Sequence, residues 1–503
     1  MNAPLPVLRG FHPDPSICRV GEDFYLVTST FEFFPGVPVY HSKNLVNWTP
    51  VAHCLATKEL LDLDGCAPSQ GIYAPTLRYH KGRFYMTTTD VSGVGNFIVY
   101  TDDIRGAWKG PFPVDQGGID PSLLFDDDGT VYFASAASMD DKSQIFLCEV
   151  DPDTGERLSE SVWICAGTGG RCAEAPHLYK KDGWYYLLLA EGGTEYGHMV
   201  TVFRAGSPYG PYEGCPNNPV LTHKDIWNHP VQAVGHADLV EDQNGRWWCV
   251  CLGVRPLSGQ LHNLGRETFL APCRWENGWP VLGDAGTLPE PASFAQMLPA
   301  PYGEYRSGFT DDFSCQILPL AYAGIRYIDE KKIRRNAQAR VMTLSGDGTA
   351  LSTPNAAPMF LGIRQAAFAC TMEAELTLGS GGKAGIAAYY GDSYYYAVFL
   401  ENTDGKTVVG IEKAVHDIRV RQVFEIAEKG PVQLSIHTGK DMYAFFVRMN
   451  GEQHLLGEGA AAGLCTEGTR VKTFTGTFLG MFCERGEATF SAFSVKEEEE
   501  DDR

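Results

Sequence analysis

Three carboxylates stand at the openings of short strand-like segments in related settings. Asp14 lies in "HPDPS", Asp120 in "GIDPS" and Glu174 in "EAPH". Prolines on both sides of Asp14 fix φ and bias their neighbours away from helix, so this acid is held rigidly at a strand entrance. Acids that share one partly desolvated pocket cannot all ionise, and at least one pKa must rise. An ionised carboxylate that accepts a proton, set against a protonated one that gives it, is the equipment for general acid and base cleavage of a bond. Any one of these residues taken alone would more simply cap a strand or bind turn amides. Matched placement of three favours chemistry.

The elements that must bring them together form a repeat. A Gly followed by an aromatic strand recurs as "GEDFYLV" at Gly21, "GRFYMTT" at Gly82, "GTVYFAS" at Gly129, "GWYYLLL" at Gly183 and "GRWWCVC" at Gly245. Seven to nine residues before each Gly stands a second piece: "DPSI" from Asp14, "APTL" from Ala74, "DPSL" from Asp120, "APHL" from Ala175 and "HADL" from His236. The unit reads as a strand, a Gly turn and a second, aromatic strand. Its copies sit 46 to 61 residues apart, which suits a four-stranded sheet per repeat. Five such sheets in a ring make a five-bladed β-propeller; a solenoid would have shorter, more uniform periods. Equivalent blades place the starts of the innermost strands at one mouth of the channel. Asp14, the Tyr73–Ala74 junction, Asp120, Glu174 and His236 then meet there, and paired carboxylates in one pocket are the apparatus of glycoside hydrolysis.

The expected fold class is all-β, a five-bladed β-propeller followed by an antiparallel β-sandwich. The propeller takes residues 1–300, and a proline-rich stretch over 285–308 reads as a linker wrapped on the surface. After it the aromatic repeat stops, and alternating strands such as "AFACTMEAELTL" and "DMYAFFVRMNGE" predict the sandwich over 309–497.

A formal charge of −21, from 41 basic against 62 acidic residues, argues against nucleic acid or an anionic membrane as partner. The "EEEEDD" run from Glu497 reads as a solvated tail. No apolar stretch is long enough to span a bilayer, and "MNAPLPVLRG" has no secretion-signal pattern, so a cytoplasmic protein is expected. The fourteen cysteines include no CxxC pair and read mostly as small buried hydrophobes. No phosphate-binding loop, dinucleotide fingerprint, HExxH or GxSxG motif occurs.

The motifs "GFHPDPSICRVGEDFYLVTSTFEFFPGVPVYHSKNLVNW", "GIDPSLLFDDDG", "EAPHLYKKDGWYYLLLAEGGT", "GHADLV" and "LGRETFLAP", in this order, resemble glycoside hydrolase family 43, in its β-xylosidase and α-L-arabinofuranosidase branch with a C-terminal β-sandwich. The resemblance implies an inverting exo-glycosidase that releases terminal α-L-arabinofuranosyl or β-D-xylosyl units from small xylo- or arabinoxylo-oligosaccharides. It implies Asp14 as the general base that activates water and Glu174 as the general acid. Asp120 is implied to hold the acid and raise its pKa. Base and acid of an inverting pair are expected about 6.5–9.5 Å apart. Ala175 replaces the Gly more usual after the acid. Arg266, in "GRET", matches a substrate-binding arginine, whose fork of donors suits sugar hydroxyls and carboxylates. Phe31 and Tyr73 match aromatic positions around the terminal sugar, the second usually Trp in relatives. His236 lines the pocket and is the candidate metal ligand, since that position often approaches a central metal, commonly calcium, through water. The chemistry itself needs no cofactor, and a structural Ca2+ in the channel is left open by a single imidazole. Related sandwiches insert a Phe-bearing loop at the pocket; residues 472–480, with Phe474, are the candidate. Homo-oligomer formation stays open. Two rivals are a retaining fructosidase-like propeller and a non-catalytic sugar-binding propeller. The first would carry Asn at Pro13 and Cys at Ala175, and the second would lack a carboxylate.

Overall fold

The computed structural model describes residues 6–139, 142–257, 259–305, 308–403, 406–427, 430–470 and 473–498. Residues 1–5 of the expected propeller, Lys472 of the loop and residues 499–503 of the tail lie outside the described residues. Each repeat becomes one antiparallel four-stranded sheet, with a short extra strand in the fourth. Blade one comprises Ser16–Val20, Asp23–Val27, Gly36–Ser42 and Thr49–Leu55, and blade two Thr76–His80, Arg83–Asp90, Gly95–Thr101 and Lys109–Pro113. Blade three comprises Ile119–Phe125, Val131–Met139, Lys142–Glu149 and Val162–Cys165. Blade four begins with Glu174–Lys181, Trp184–Glu191 and Met199–Ala205, and blade five is Gln232–Glu241, Trp247–Val254, Glu267–Glu276 and Trp279–Leu282. First strands of successive blades touch, and that of blade five touches that of blade one, which closes the ring. The segment before blade one fastens this seam: Val7 N donates to Thr268 O at 2.8 Å and His12 N to Arg266 O at 2.9 Å.

Apolar side chains pack between blades, which is why the aromatic strands read as near-continuous hydrophobic runs. Leu188, Val202, Cys249, Cys251 and Phe269 form one such core between blades four and five. The turn glycines are required by backbone angle, not by space: Gly129 has φ 93°, and a Cβ there would meet no atom within 4 Å. The axis, by contrast, is polar. Asp238 of blade five accepts from Ser16 Oγ of blade one at 2.6 Å, Arg78 Nη1 of blade two at 2.8 Å and Tyr179 OH of blade four at 2.6 Å. Burial opposes ionisation of Asp238, but the Arg78 guanidinium and its other partners hold its carboxyl far below the usual range. A buried ion pair with its hydrogen bonds met ties four blades together; removing one partner of such a pair costs about 3–5 kcal/mol.

The stretch expected to wrap on the surface between the domains is mostly exposed or half-buried, and a few buried side chains pin it in place. It forms a helical turn, Pro291–Phe294, whose Phe294 is buried with its ring 5.9 Å from that of Trp248. Beyond it, one 20-residue strand, Phe478–Glu497, is the spine of the sandwich. Its two halves pair with Lys383–Gly391 and Cys370–Leu378, and along its other edge with Met359–Arg364 and Val341–Asp347. The layers enclose Met342, Leu361, Met372, Ile386, Val398 and Phe490.

The sandwich docks beside the channel mouth. Phe33–Phe34 pairs with Gly324–Ile325, and Phe33 stacks on Phe478 at 3.9 Å between centroids. Thr477 N donates to Asn263 O at 2.9 Å. The approach there is so close that a Cβ on Gly476 would lie 2.3 Å from Leu264 O. Among the described residues no helix is long and apolar enough to cross a membrane.

Candidate active site

The blade starts are not regular strand. Asp14 (φ 54°), Asp120 (φ 54°), Ala175 (φ 52°) and His236 (φ 47°) all occupy the left-handed region that non-glycine residues avoid. Ladder irregularities sit at the same place in blades three, four and five, between Ile119 and Ser122, Glu174 and His177, and Gly235 and Asp238. A bulge re-aims side chains at a strand end. Backbone strain of this kind, on the order of 1–3 kcal/mol per residue, persists only where the surroundings impose it, commonly at functional sites. Glu174 sits one residue ahead of the strained position in its blade, whereas Asp14 and Asp120 occupy it.

These starts converge on one cavity of about 100 Å³ lined by Asp14, Phe31, Tyr73, Asp120, Glu174, His236, Arg266 and Phe474, with Ala74, Ile119, Cys172, Gly193 and Thr194. Asp14 is 3 % exposed. Its Oδ1 receives Arg266 Nη1 at 2.6 Å and faces His236 Nδ1 at 3.4 Å, while Oδ2 accepts from Ser29 Oγ at 2.5 Å. Burial pushes this carboxyl up, yet Arg266, His236 and Ser29 together hold it below its usual value. Asp14 is therefore an anion at neutral pH. Asp120 goes the other way: burial, then the negative charges of Glu174 and Asp14, raise it well above the ordinary carboxylate range. Burial also lowers His236, against the pull of Asp14, so its ring is neutral. One buried pocket thus pushes two of its acids in opposite directions, Asp14 down and Asp120 up.

An aromatic wall closes the other side. The Phe31 ring lies 5.0 Å from Tyr73 and stacks at 5.7 Å on Phe474, which the sandwich contributes. The Arg266 guanidinium lies 5.5 Å from the centre of Phe31 and 5.7 Å from that of Phe474. Ser69 links the two domains here, accepting Phe474 N on its hydroxyl at 3.0 Å and Tyr73 OH on its carbonyl at 3.3 Å. The cavity is walled by both domains and has room for a single sugar ring.

The structure brings all seven sequence-selected residues, and Phe474, to this cavity. Sequence reasoning did not single out Ser29, Thr194 or Cys172. Thr194 Oγ1 accepts from Arg266 Nη1 at 3.2 Å. Cys172 departs from the expected pattern of buried cysteines: it is half-buried and lines the pocket, while Cys315 is exposed. For His236 as a calcium ligand, the axis is informative. Asp238, which acts electrostatically on His236, is already paired with the cation of Arg78 and accepts from Ser16, Arg78 and Tyr179. Among the described residues no group of three or more His, Cys, Asp or Glu could hold a metal ion. These side chains do not fit direct coordination of Ca2+, which seeks six to eight oxygens.

Comparison with known proteins accounts for both halves of the chain. The profile of Glycosyl hydrolases family 43 matches residues 3–280, and that of the Beta xylosidase C-terminal Concanavalin A-like domain matches 310–496. A non-reducing end alpha-L-arabinofuranosidase of Bacteroides ovatus is 40% identical over 95% of this chain and 90% of its own length. A xylosidase/arabinosidase of Butyrivibrio fibrisolvens is 34% identical over 98% of this chain and 99% of its own. The solved structure of a xylan beta-1,4-xylosidase from Bacillus halodurans superposes with a TM-score of 0.90 at 32% identity, covering 98% of this chain and 100% of that one.

Proposed function

The chain belongs to Glycosyl hydrolases family 43, and from that premise we infer how its own residues divide the work of an inverting exo-glycosidase that releases terminal α-L-arabinofuranosyl or β-D-xylosyl units. The carrying observation is the convergence of three carboxylates, Asp14, Asp120 and Glu174, from three different blades on one cavity. Asp14, ionised beside Arg266, takes a proton from water as that water attacks the anomeric carbon. Glu174 gives a proton to the glycosidic oxygen on the opposite face as the bond breaks. Asp120 is the positioning acid: with its own carboxyl raised beside Glu174, the two keep a proton available between them until the leaving oxygen takes it. Each turnover leaves Asp14 protonated and Glu174 ionised, and exchange with solvent resets both.

The closed aromatic wall of Phe31, Tyr73 and Phe474 supports an exo mode, since a cavity of about 100 Å³ admits a chain end and not a chain interior. Both pentoses offer the same acid and base a similar set of hydroxyls, which supports dual activity on xylo- and arabinoxylo-oligosaccharides. A binding-only propeller has no use for three converging acids. The test is hydrolysis of nitrophenyl α-L-arabinofuranoside and nitrophenyl β-D-xyloside by the wild type and Asp14→Ala. Wild-type turnover of at least one, reduced to near background in the variant, is expected; near-background rates from both proteins would make the propeller a binding module.

A further inference from the structure

A second cavity, of about 560 Å³, opens beside the first and shares Thr194, Arg266 and Phe474 with it. It runs along the seam between propeller and sandwich. Its floor and walls include Tyr196, Gln260 and His262 from the propeller and Glu467 from the sandwich. His262 Nδ1 and Glu467 Oε1 meet across the seam at 2.7 Å, so this wall is built by both domains.

At its lip stands Trp227, 65 % exposed. An indole left in water on the wall of a cavity is an uncommon use of the largest apolar side chain. The loop that carries it is firmly held. Gln232 Nε2 donates to Ile226 O at 3.0 Å and to His229 O at 2.8 Å. The His223 and His229 rings lie 3.9 Å apart, and Leu288 N donates to His223 Nε2 at 3.0 Å. Trp227 is therefore presented, not merely uncovered.

We propose that this cavity binds the leaving-group side of the substrate: an oligosaccharide of two or more sugar units beyond the scissile bond, with Trp227 as its stacking platform. The proposal rests on the exo-glycosidase reading above. The volume is more than five times that of the catalytic cavity, enough for several rings. An exposed aromatic face matches the apolar C–H face of a sugar. The Gln260, Glu467 and Thr469 side chains around it offer the mixed donors and acceptors that hydroxyls use. Through the shared Thr194, Arg266 and Phe474, a chain leaving the small pocket has a direct path into the larger one. Binding energy gathered there acts at a distance from the reacting bond and shows in kcat/KM.

The test uses the full chain and two substrates with the same scissile pentosyl linkage, one with a single leaving sugar and one with three. For the wild type, kcat/KM is expected to be higher on the longer substrate. In Trp227→Ala the ratio of the two kcat/KM values falls roughly tenfold, the usual scale for truncating an aromatic anchor, mainly through KM. Trp227→Phe recovers most of it. A ratio that does not move, or an equal loss on both substrates, overturns the proposal, since a structural role would affect both alike. If the wild type hydrolyses no pentoside, the function reading fails separately. Calorimetric titration with the same trisaccharide-bearing ligand then decides this proposal: Trp227-dependent affinity supports the cavity and Trp227-independent affinity contradicts it.

Discussion

Replacing Arg266 by Met removes the charge that keeps Asp14 ionised while retaining length and apolar bulk against Phe31 and Phe474. The guanidinium lies 2.6 Å from Asp14 Oδ1. Two unit charges at that distance interact by about 6 kcal/mol at an effective dielectric constant of about 20, before the desolvation cost that offsets part of it. Carboxylates beside an arginine are commonly lowered by about 1–3 pKa units, which is about 1.4–4 kcal/mol. With Arg266 gone, burial, the largest influence on Asp14, is opposed only by its weaker partners His236, Ser29 and His198. Its pKa then rises from its depressed position. A general base works only as an anion, so with Asp14 in the proposed role the acid limb of the kcat/KM profile should move up by about 1–3 pH units. Nitrophenyl pentosides are the right substrates, because a good leaving group relaxes the need for Glu174 and exposes the Asp14 limb. Overall rate falls too, since Arg266 lines the pocket; the position of the limb is the diagnostic. Stability follows the same sign. In the wild type the depressed pKa of Asp14 adds stability above its unfolded value, and this is lost as pH falls through the folded value. In Arg266→Met that contribution is smaller, so the deficit in melting temperature is largest near neutral pH and shrinks on acidification. A variant with lower activity but an unmoved acid limb would refute the reasoning and reduce Arg266 to a substrate contact.

Glu174→Ala should lower kcat/KM roughly 10²–10⁴-fold on oligosaccharides, the usual worth of a general acid, and far less on substrates whose leaving group needs no proton; equal losses on both would remove the acid role. Asp120→Asn removes the acid that shares a proton and a negative charge with Glu174, so the basic limb of the pH–rate profile should shift to lower pH, and a limb that stays in place would mean Asp120 does not tune the acid. Gly476→Ala places a methyl 2.3 Å from Leu264 O and must part the two domains beside Phe474. A loss of roughly 10–100-fold in kcat/KM is expected, as for small misplacements near a reacting centre, with KM raised, and unchanged kinetics in a folded variant would show that the loop does not shape the pocket.

The repeat is legible because each blade repeats a short strand, a Gly turn and an aromatic strand, and each of these is a local feature. Asp14 and Asp120 stand out through their prolines, and Glu174 through its single-residue offset from the same register. The left-handed backbone that aims them leaves no trace, since neither Asp nor His at such a position announces φ > 0 as Gly would. Ser29 in "VTST" and Thr194 in "EGGTEY" look like ordinary strand-end hydroxyls. Their roles arise only when blades distant in sequence meet. Arg78 in "TLRYH" is not marked out by its motif, yet it reaches across to Asp238 of blade five and His177 of blade four. Phe474 is reachable by resemblance alone, because the docking of the sandwich depends on Gly476 and Gly265 allowing close approach. Likewise the linker helix is hidden by its prolines, and Phe294 packs against Trp248 only because the ring closes nearby.

In the proposed mechanism water attacks from the Asp14 side while Glu174 protonates the departing oxygen. Proton NMR of the sugar released in the first moments of hydrolysis, before mutarotation, observes that geometry directly. The first product should be α-xylose from a β-xyloside and β-arabinofuranose from an α-arabinofuranoside. Initial release of the anomer already present in the substrate would contradict it and make Asp14 a nucleophile.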